Sequence, residues 1–236
     1  MNMGIHSEFI WNSILSALQY FPVTLKLVFI SLFVGLIIGS VIGYIRYQRV
    51  PILRQILAFF VNVYLGVPII VALLIYHLIF LNHMGRVLQT FHISYDVSQI
   101  NTIWIGVFAL SLMAICNISE VIRGALHALD KGQTEAGYSV GLTKIQIIKD
   151  IIIPQLLPII IPPLTNNVIG LIKASSLVSL IGIIDITGGA IIPAAETYAF
   201  FESYLAAACV YWGFSIMVEF ILAQFMIRAG RFRRTI

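Results

Sequence analysis

The chain has 236 residues, of which 60% are hydrophobic and only 10% are charged, and its mean hydropathy is +0.99. This composition excludes a soluble globular domain and is typical of a polytopic membrane protein. The formal net charge of +4 is small, so the positions of the charges are more informative than their sum.

The N-terminal part predicts a short aromatic segment followed by a first membrane span. Residues 1–22 form either an interfacial helix on the outer face or a frayed terminus. Residues 24–44 are apolar and long enough to cross a bilayer. Gly35, Gly39 and Gly43 recur in this span at four-residue spacing. That spacing predicts the close approach of another helix, either within this chain or from a second subunit.

Two further spans are predicted in the first half of the chain. A basic connection leads to residues 56–80, in which Gly66 and Pro68 predict a bend. Residues 82–100 predict a polar connection, and residues 102–119 predict the third span. The basic connection contains Arg46, Arg49, Pro51 and Arg54.

The fourth predicted span, residues 157–183, has prolines that break its first half and polar side chains in its second half. Such features are tolerated in a membrane only inside protein or beside an aqueous cavity. Residues 184–201 return on the outer side, and the fifth span follows to residue 227, before a basic tail at residues 231–236. The prolines are Pro158, Pro162 and Pro163, and the polar residues are Thr165, Asn166, Asn167, Lys173, Ser175, Ser176 and Ser179.

A polar segment, residues 123–154, separates the third and fourth predicted spans. Gly132, Gly137 and Gly141 divide it, which predicts two short helical pieces broken by glycine. A partly amphipathic segment between membrane spans predicts a position at the water interface and contact with a soluble partner. An ordinary surface loop is the alternative.

The segment contains Glu135, Ala136, Gly137, Gly141 and Pro154 in this order. This order resembles the EAA loop of ABC-importer permeases. Glycine replaces alanine at the third motif position, and isoleucine replaces the leucine before the proline. The rest of the chain, over residues 20–230, is similar to the polar amino-acid branch of that family (the histidine, glutamine, arginine and opine permeases). The residues that carry the resemblance are Glu135, Ala136, Gly137, Gly141 and Pro154 in the loop, and Glu120, Arg123, Gly124, Pro162, Pro163, Lys173, Ala174, Ser175, Ser176, Leu177, Phe201, Glu202 and Tyr204 around it.

The resemblance implies an all-α polytopic membrane protein with five transmembrane helices, the type I ABC-importer permease (MetI-like) fold. It implies a permease domain over residues 23–230 with a cytoplasmic coupling loop at 123–154. The implied partners are an ABC ATPase dimer, a second permease copy or a paralogous permease, and an extracytoplasmic substrate-binding protein. ATP and magnesium would bind to the separate ATPase, because this chain has no G-x-x-x-x-G-K-[ST] sequence. We expect no cofactor in this chain, no enzymatic activity of its own and no nucleic-acid partner.

The basic residues predict the orientation of the chain. Of the fourteen Lys and Arg residues, most lie in the connection before the second span, in segment 123–154 or in the C-terminal tail. With five spans, all three places lie on the same side of the membrane. By the positive-inside rule, the N-terminus lies outside, and the C-terminus and segment 123–154 lie in the cytoplasm of a bacterial cell.

The resemblance assigns ATPase coupling to Glu135, Ala136, Gly137, Gly141 and Pro154. In the family this loop forms a short helix that lies across a groove of the ATPase. Glycine at positions 137 and 141 permits close packing and a sharp turn. We therefore expect Gly141→Asp to uncouple transport without preventing membrane insertion.

The fourth span supplies candidates for the substrate path. On a helix, Asn167, Gly170 and Ala174 share one face. Lys173 lies beside that face, and an unpaired cation inside a membrane span is energetically unfavourable. We expect Lys173 to contact the substrate, to pair with Glu120 or to reach water.

The same positions predict the class of substrate. Relatives that handle basic amino acids carry carboxylates at the places of Asn167 and Ala174, where this chain has uncharged groups. A pocket without carboxylates cannot offset the desolvation of an additional positive charge. We therefore expect a polar, neutral or acidic amino acid such as glutamine or cystine, with Asn167, Ser175 and Ser176 as hydrogen-bonding groups.

Two other classes of protein are disfavoured. A secondary transporter or channel would need its own ion site or an internal repeat, but five spans do not divide into equal halves and no segment is repeated. An intramembrane enzyme would need a catalytic pair within the spans. Ser111, Ser175 and Ser176 have no histidine at a predictable position.

Overall fold

The computed structural model describes residues 6–48, 50–90, 100–130 and 132–231, and this part of the chain is helical with no strand. The α-helices are numbered in chain order, and two π-helical stretches and one 3₁₀ stretch join some of them into longer rods. The α-helices are α1 (Ser7–Gln19), α2 (Phe21–Val34), α3 (Ser40–Tyr47), α4 (Leu53–Gly66), α5 (Ile69–Thr90), α6 (Ile103–Ala128), α7 (Gly132–Ser139), α8 (Lys144–Gln146), α9 (Ile153–Ser175), α10 (Ile186–Ile191), α11 (Ala194–Thr197) and α12 (Phe200–Arg231).

Five of these helical rods are long and apolar enough to cross a membrane, which confirms the predicted all-α fold with five transmembrane helices. The first joins α2 and α3 through the π-helical residues Gly35–Gly39, and the fourth begins at α8 and ends after α9. The five spans are Phe21–Tyr47, Ile69–Thr90, Ile103–Ala128, Lys144–Ile181 and Phe200–Phe225.

The prediction of one bent second span over residues 56–80 is wrong. The chain breaks at Val67, which is extended (φ −94°, ψ 126°), because a residue that precedes proline is disfavoured in the helical conformation. Helix α4 is therefore separate and has only 14 residues, too few to span a bilayer core. Helix α5 extends through Thr90, so the predicted polar connection is helical over residues 82–90, and residues 91–99 lie outside the described part.

Two boundaries near segment 123–154 also differ from the prediction. The third span continues as helix α6 to Ala128, so the first residues of the segment belong to a membrane-spanning helix. Arg46 lies inside α3 and is only 5% exposed, although it was predicted in a connection. The burial of Arg46 is accompanied by an ion pair with Glu120 on α6, which offsets the cost of a charged side chain inside the helical bundle.

Gly35, Gly39 and Gly43 form a glycine ridge on the first span. This ridge packs against α6, so the predicted close approach is made by a helix of the same chain. A Cβ atom on Gly35 would lie 2.5 Å from the Cβ of Ala114, and one on Gly39 would lie 2.7 Å from the carbonyl oxygen of Ile115. Only glycine permits backbones to approach so closely. The two spans run parallel, so the ends of α3 and α6 meet at one end of the bundle.

The prolines of the fourth span do not interrupt it, contrary to the prediction. Helix α9 is continuous through Pro158, Pro162 and Pro163. A proline removes one backbone donor without ending a helix when neighbouring groups occupy the freed positions. The irregularity lies upstream instead, where Ile147–Ile152 is π-helical directly before α9.

The core forms where the first, third, fourth and fifth spans meet. Leu27, Leu110, Leu171 and Ile172 are almost completely buried there, with Phe214 from α12 beside them. Helix α1 packs outside this core on α10 and α12, through two hydroxyl contacts. Its position at the membrane surface stays a prediction. The contacts are Ser13 Oγ to Ser203 Oγ at 2.9 Å and Ser16 Oγ to the Gly189 carbonyl at 2.6 Å.

Candidate coupling segment and substrate cavity

Residues 132–147 form a helical hairpin at the end of the bundle where α3 and α6 stop. Its turn is at Gly141, which has φ +82°, a conformation that residues with a side chain rarely adopt. The Leu142 amide donates to the Gly137 carbonyl at 3.1 Å, and the Gly141 amide donates to the Tyr138 carbonyl at 3.0 Å. These two bonds form a Schellman motif that ends α7. The predicted break by glycine is thus located at Gly141.

Gly137 has a different role in the hairpin. It lies in the middle of α7 and is buried against Ile147, which is 2% exposed. A Cβ atom at residue 137 would lie 2.8 Å from Ile147 Cγ1, closer than carbon atoms approach without displacement. Gly137 therefore permits the two arms of the hairpin to touch.

Side-chain hydrogen bonds fix the second arm and its connection to the fourth span. Thr143 and Gln146 form a capping box at the start of α8, which satisfies two backbone amides that a helix N-terminus leaves free. The Gln155 side chain donates to the Gln133 side chain at 3.2 Å. Pro154 lies in the first turn of α9. The hairpin is consequently attached to the fourth span at both of its ends.

The hairpin exposes an apolar surface. Tyr138 is 53% exposed, and Val140 and Ile145 are each 76% exposed. Ala136 and Glu135 are also exposed. Lys144 and Glu135 line a cavity of about 370 Å³ between the hairpin and the end of α3. The hairpin thus contains four of the five residues predicted for coupling, and Pro154 follows it in α9. The exposed surface also includes apolar neighbours that the motif does not contain.

A second feature is a cavity of about 460 Å³ between α9 and α12. Lys173 and Asn166 line it from α9, and Glu219 lines it from α12. Lys173 does not pair with Glu120, because that carboxylate is bonded to Arg46 and Arg123. The expected pocket without carboxylates is therefore wrong, because Glu219 lines this cavity. Glu219 was not among the predicted residues, although a carboxylate inside an otherwise apolar span can be recognised from sequence.

The remaining substrate-path candidates occupy different environments. Ala174 and Ser175 are buried within the chain, and the Ser175 hydroxyl donates to the Ile172 carbonyl at 2.7 Å. The Ser176 hydroxyl donates to the Lys173 carbonyl at 2.7 Å. Asn167 is half-buried, and a Cβ atom at Gly170 would have no neighbour within 4 Å. The candidates therefore do not form one cluster.

Tyr211 on α12 lies between this cavity and a further one of about 610 Å³, which Ser176 and Thr187 line. Its hydroxyl donates to the carboxylate of Asp185, a fully buried residue that also caps α10 through the Gly188 amide. Burial raises the pKa of the Asp185 carboxyl above its usual range, and the hydrogen bonds from Tyr211 and Gly188 oppose that shift.

Comparison with known proteins decides the family. Residues 10–228 match the family described as the binding-protein-dependent transport system inner membrane component. The chain belongs to this family. It is accordingly a multi-pass permease of the inner membrane, and the transport systems of this family are ABC importers.

Several relatives specify the branch. The chain is 34% identical over 200 residues to a putative glutamine transport system permease protein of Rickettsia typhi, with 84% of this chain and 86% of the relative covered. It is 31% identical to a probable amino-acid permease protein of Bacillus subtilis, with 91% of each covered. It is also 31% identical to an arginine transport system permease protein of Bacillus subtilis, with 86% of this chain and 88% of the relative covered.

A solved structure supports the same assignment. The fold matches the crystal structure of an amino acid ABC transporter with histidines, at a TM-score of 0.77 and 28% identity, over 96% of this chain and 100% of the other. The protein is therefore the permease subunit of an amino acid ABC importer. Because relatives named for glutamine and for arginine are similar to it to nearly the same degree, their names do not select the amino acid.

Proposed function

We propose that this permease carries a neutral polar amino acid, glutamine-like or cystine-like, and that a separate ATPase drives it through the 132–147 hairpin. A substrate-binding protein delivers the amino acid at the other end of the bundle. The N-terminus lies outside, and the C-terminus and the hairpin lie in the cytoplasm. Residues 23–230 form the permease domain in this proposal.

The observation that carries the coupling role is the surface of the hairpin. Tyr138, Val140 and Ile145 are apolar and exposed on a segment beyond the ends of α3 and α6. Apolar groups grouped on a rigid turn at the water interface indicate a protein partner. In this proposal Glu135, Ala136, Gly137 and Gly141 belong to the hairpin, and Pro154 follows it at the start of α9. The basic residues of this end support a cytoplasmic position, where ATP is available.

The charges of the α9–α12 cavity support a substrate of zero net charge. Lys173 supplies one ammonium group and Glu219 one carboxylate, so the two side chains balance each other. A zwitterionic amino acid can place its carboxylate near Lys173 and its ammonium group near Glu219. An additional cationic side chain would lack a partner there, and desolvating it would be unfavourable. Asn167, Gly170, Ala174, Ser175 and Ser176 would shape the path around this pair.

The exposure of Lys173 and Glu219 also supports a second permease subunit. Both side chains lie at the surface of this single chain within membrane spans, and charged groups that face lipid are expensive. A second copy, or a paralogous permease, would enclose the cavity and separate it from the bilayer.

Co-purification tests the coupling role. The wild-type chain, purified in lipid, is expected to retain an ATPase subunit, and Gly141→Asp is expected to lose the stimulation of ATP hydrolysis by glutamine and its binding protein. Gly124→Ala is the matched control, since a Cβ atom at residue 124 meets nothing within 4 Å. Unchanged stimulation in Gly141→Asp would contradict the coupling role of the hairpin.

A further inference from the structure

Three charged side chains lie where the first and third spans meet, directly before the 132–147 hairpin. Arg46 Nη1 is 2.7 Å from Glu120 Oε1 and donates to Ser119 Oγ at 2.9 Å. Arg123 Nη2 is 2.7 Å from the other carboxylate oxygen of Glu120, and Arg123 Nε donates to that oxygen at 3.1 Å. Glu120 is thus held by two arginines, one from each span.

The environment of this cluster makes its geometry specific. Arg46 is 5% exposed and Glu120 is 28% exposed. A charged pair that is removed from water is stable only when its geometry is good, and loss of one partner leaves the other without compensation. Arg46 is therefore confined to the position at which it meets Glu120.

The backbones around the cluster are also in contact. One turn before Arg46, a Cβ atom on Gly43 would lie 2.7 Å from the Ser119 carbonyl oxygen. One residue after it, the rings of Tyr47 and His127 meet edge to face, with their centroids 5.1 Å apart. The contact thus continues along the last turns of both helices, until α6 ends at Ala128.

We infer that Arg46 is a positioning residue for coupling: through Glu120 it fixes the end of the first span to the end of the third span. Because the hairpin follows α6, a displacement of the hairpin then moves both spans as one body. Without this ion pair, α6 would move relative to α3, and part of the displacement would not reach the first span. The inference rests on the coupling role proposed above for the hairpin.

The test compares Arg46→Met with Arg54→Met in proteoliposomes that contain the permease, its ATPase and its binding protein. Arg54 is an exposed cation on the neighbouring helix α4. The measured quantity is the number of glutamine molecules taken up for each ATP hydrolysed. Arg46→Met is expected to retain basal ATP hydrolysis and to lower this ratio about fivefold or more, whereas Arg54→Met is expected to leave it unchanged.

A cross-link distinguishes positioning from other roles of Arg46. Tyr47→Cys and His127→Cys are introduced into Arg46→Met, together with Cys209→Ala to remove the other exposed thiol; Cys116 is buried. A short bis-methanethiosulfonate reagent, which forms a disulfide with each of the two cysteines, is expected to restore the ratio when it joins residues 47 and 127. Reduction of these disulfides is expected to abolish the recovery. A positioning role predicts this rescue, and failure of the cross-linked protein to recover would overturn the inference.

Three further outcomes are informative. If Arg46→Met does not assemble, Glu120→Gln replaces it, because glutamine keeps the shape of the side chain and removes the ion pair; a normal uptake ratio in that variant would overturn the inference. If the wild-type complex itself shows no ATP-driven uptake of any amino acid in a panel, the proposed function fails. If the wild type and Arg46→Met are equally coupled, only the inference about Arg46 fails.

Discussion

Gly137 and Ile147 touch so closely that a methyl group at residue 137 would lie 2.8 Å from Ile147 Cγ1 and 3.0 Å from Cδ1. This contact joins the two arms of the 132–147 hairpin. It also explains why glycine replaces the alanine that the family motif has at this position, since the isoleucine occupies the space of the methyl group.

Gly137→Ala should therefore impair this protein even though it restores the residue of the family motif. Insertion of a methyl group into a close contact costs about 1–3 kcal/mol, and we expect stimulated ATP hydrolysis to decrease accordingly. The double variant Gly137→Ala with Ile147→Ala should regain activity, because it removes the atoms that collide. If the double variant is no better than Gly137→Ala alone, the contact is not the reason for glycine.

The turn at Gly141 predicts a graded series of variants. A residue with a side chain at φ +82° is strained by about 1–2 kcal/mol, and asparagine tolerates this conformation better than β-branched residues do. ATP-driven uptake should decrease in the order wild type, Gly141→Asn, Gly141→Val. Space is not the cause, because a Cβ atom there meets nothing within 4 Å. Equal uptake by the asparagine and valine variants would contradict a backbone origin.

The charged cavity between α9 and α12 predicts a common effect of two substitutions. Lys173→Gln and Glu219→Gln should each raise the KM for the transported amino acid about tenfold or more, since each leaves one charge of the zwitterion without its partner. Cys209→Ala is the control, because Cys209 is exposed on the same helix but does not line the cavity. Uptake assays over a range of substrate concentrations measure the change. A KM that stays at the wild-type value in both variants would exclude this pair from substrate binding.

The burial of the Asp185 carboxyl predicts that the stability of the fold depends on pH. Burial raises its pKa in the folded protein, so the folded state binds the proton more strongly than the unfolded chain. Its contribution to stability is therefore largest below the unfolded pKa of about 3.9, and it is lost as the pH rises through the higher folded pKa. Asp185→Asn cannot ionise, so its melting temperature should increase relative to the wild type as the pH rises above about 4. A difference in melting temperature that is independent of pH would contradict this prediction.

The number of spans was predictable because hydrophobic length is the main requirement for crossing a bilayer, but the bounds of the second span were not. The glycine ridge was also predictable, since the four-residue spacing of Gly35, Gly39 and Gly43 places them on one helix face. The break at Val67 was underestimated as a bend, and the continuity of α9 through Pro162 was not foreseen. A proline leaves the carbonyl four residues earlier without its helical hydrogen bond. Whether the helix continues depends on neighbouring groups that can bond to that carbonyl, and these come from tertiary structure.

The geometry of the hairpin was predictable where a local motif defines it, and its role in coupling stays a prediction. Glu135, Gly137 and Gly141 could be located from their order in the chain, although the separate roles of the two glycines needed the position of Ile147. Glu219 and the pairing of Glu120 with Arg46 depend on contacts between residues that are distant in sequence. Sequence spacing alone cannot show which of several charges in different spans face each other.

ATP-driven uptake of radiolabelled amino acids into proteoliposomes, with the ATPase and the binding protein present, tests the account most directly. Glutamine, cystine and arginine are compared, each with and without ATP on the side of the hairpin. We predict ATP-dependent accumulation of glutamine or cystine and no comparable accumulation of arginine. Gly141→Asp should abolish the accumulation, because it adds a carboxylate to the exposed turn as well as the strain of a side chain there. Preferred accumulation of arginine would contradict the neutral substrate, and uptake that does not require ATP would contradict the coupling mechanism itself.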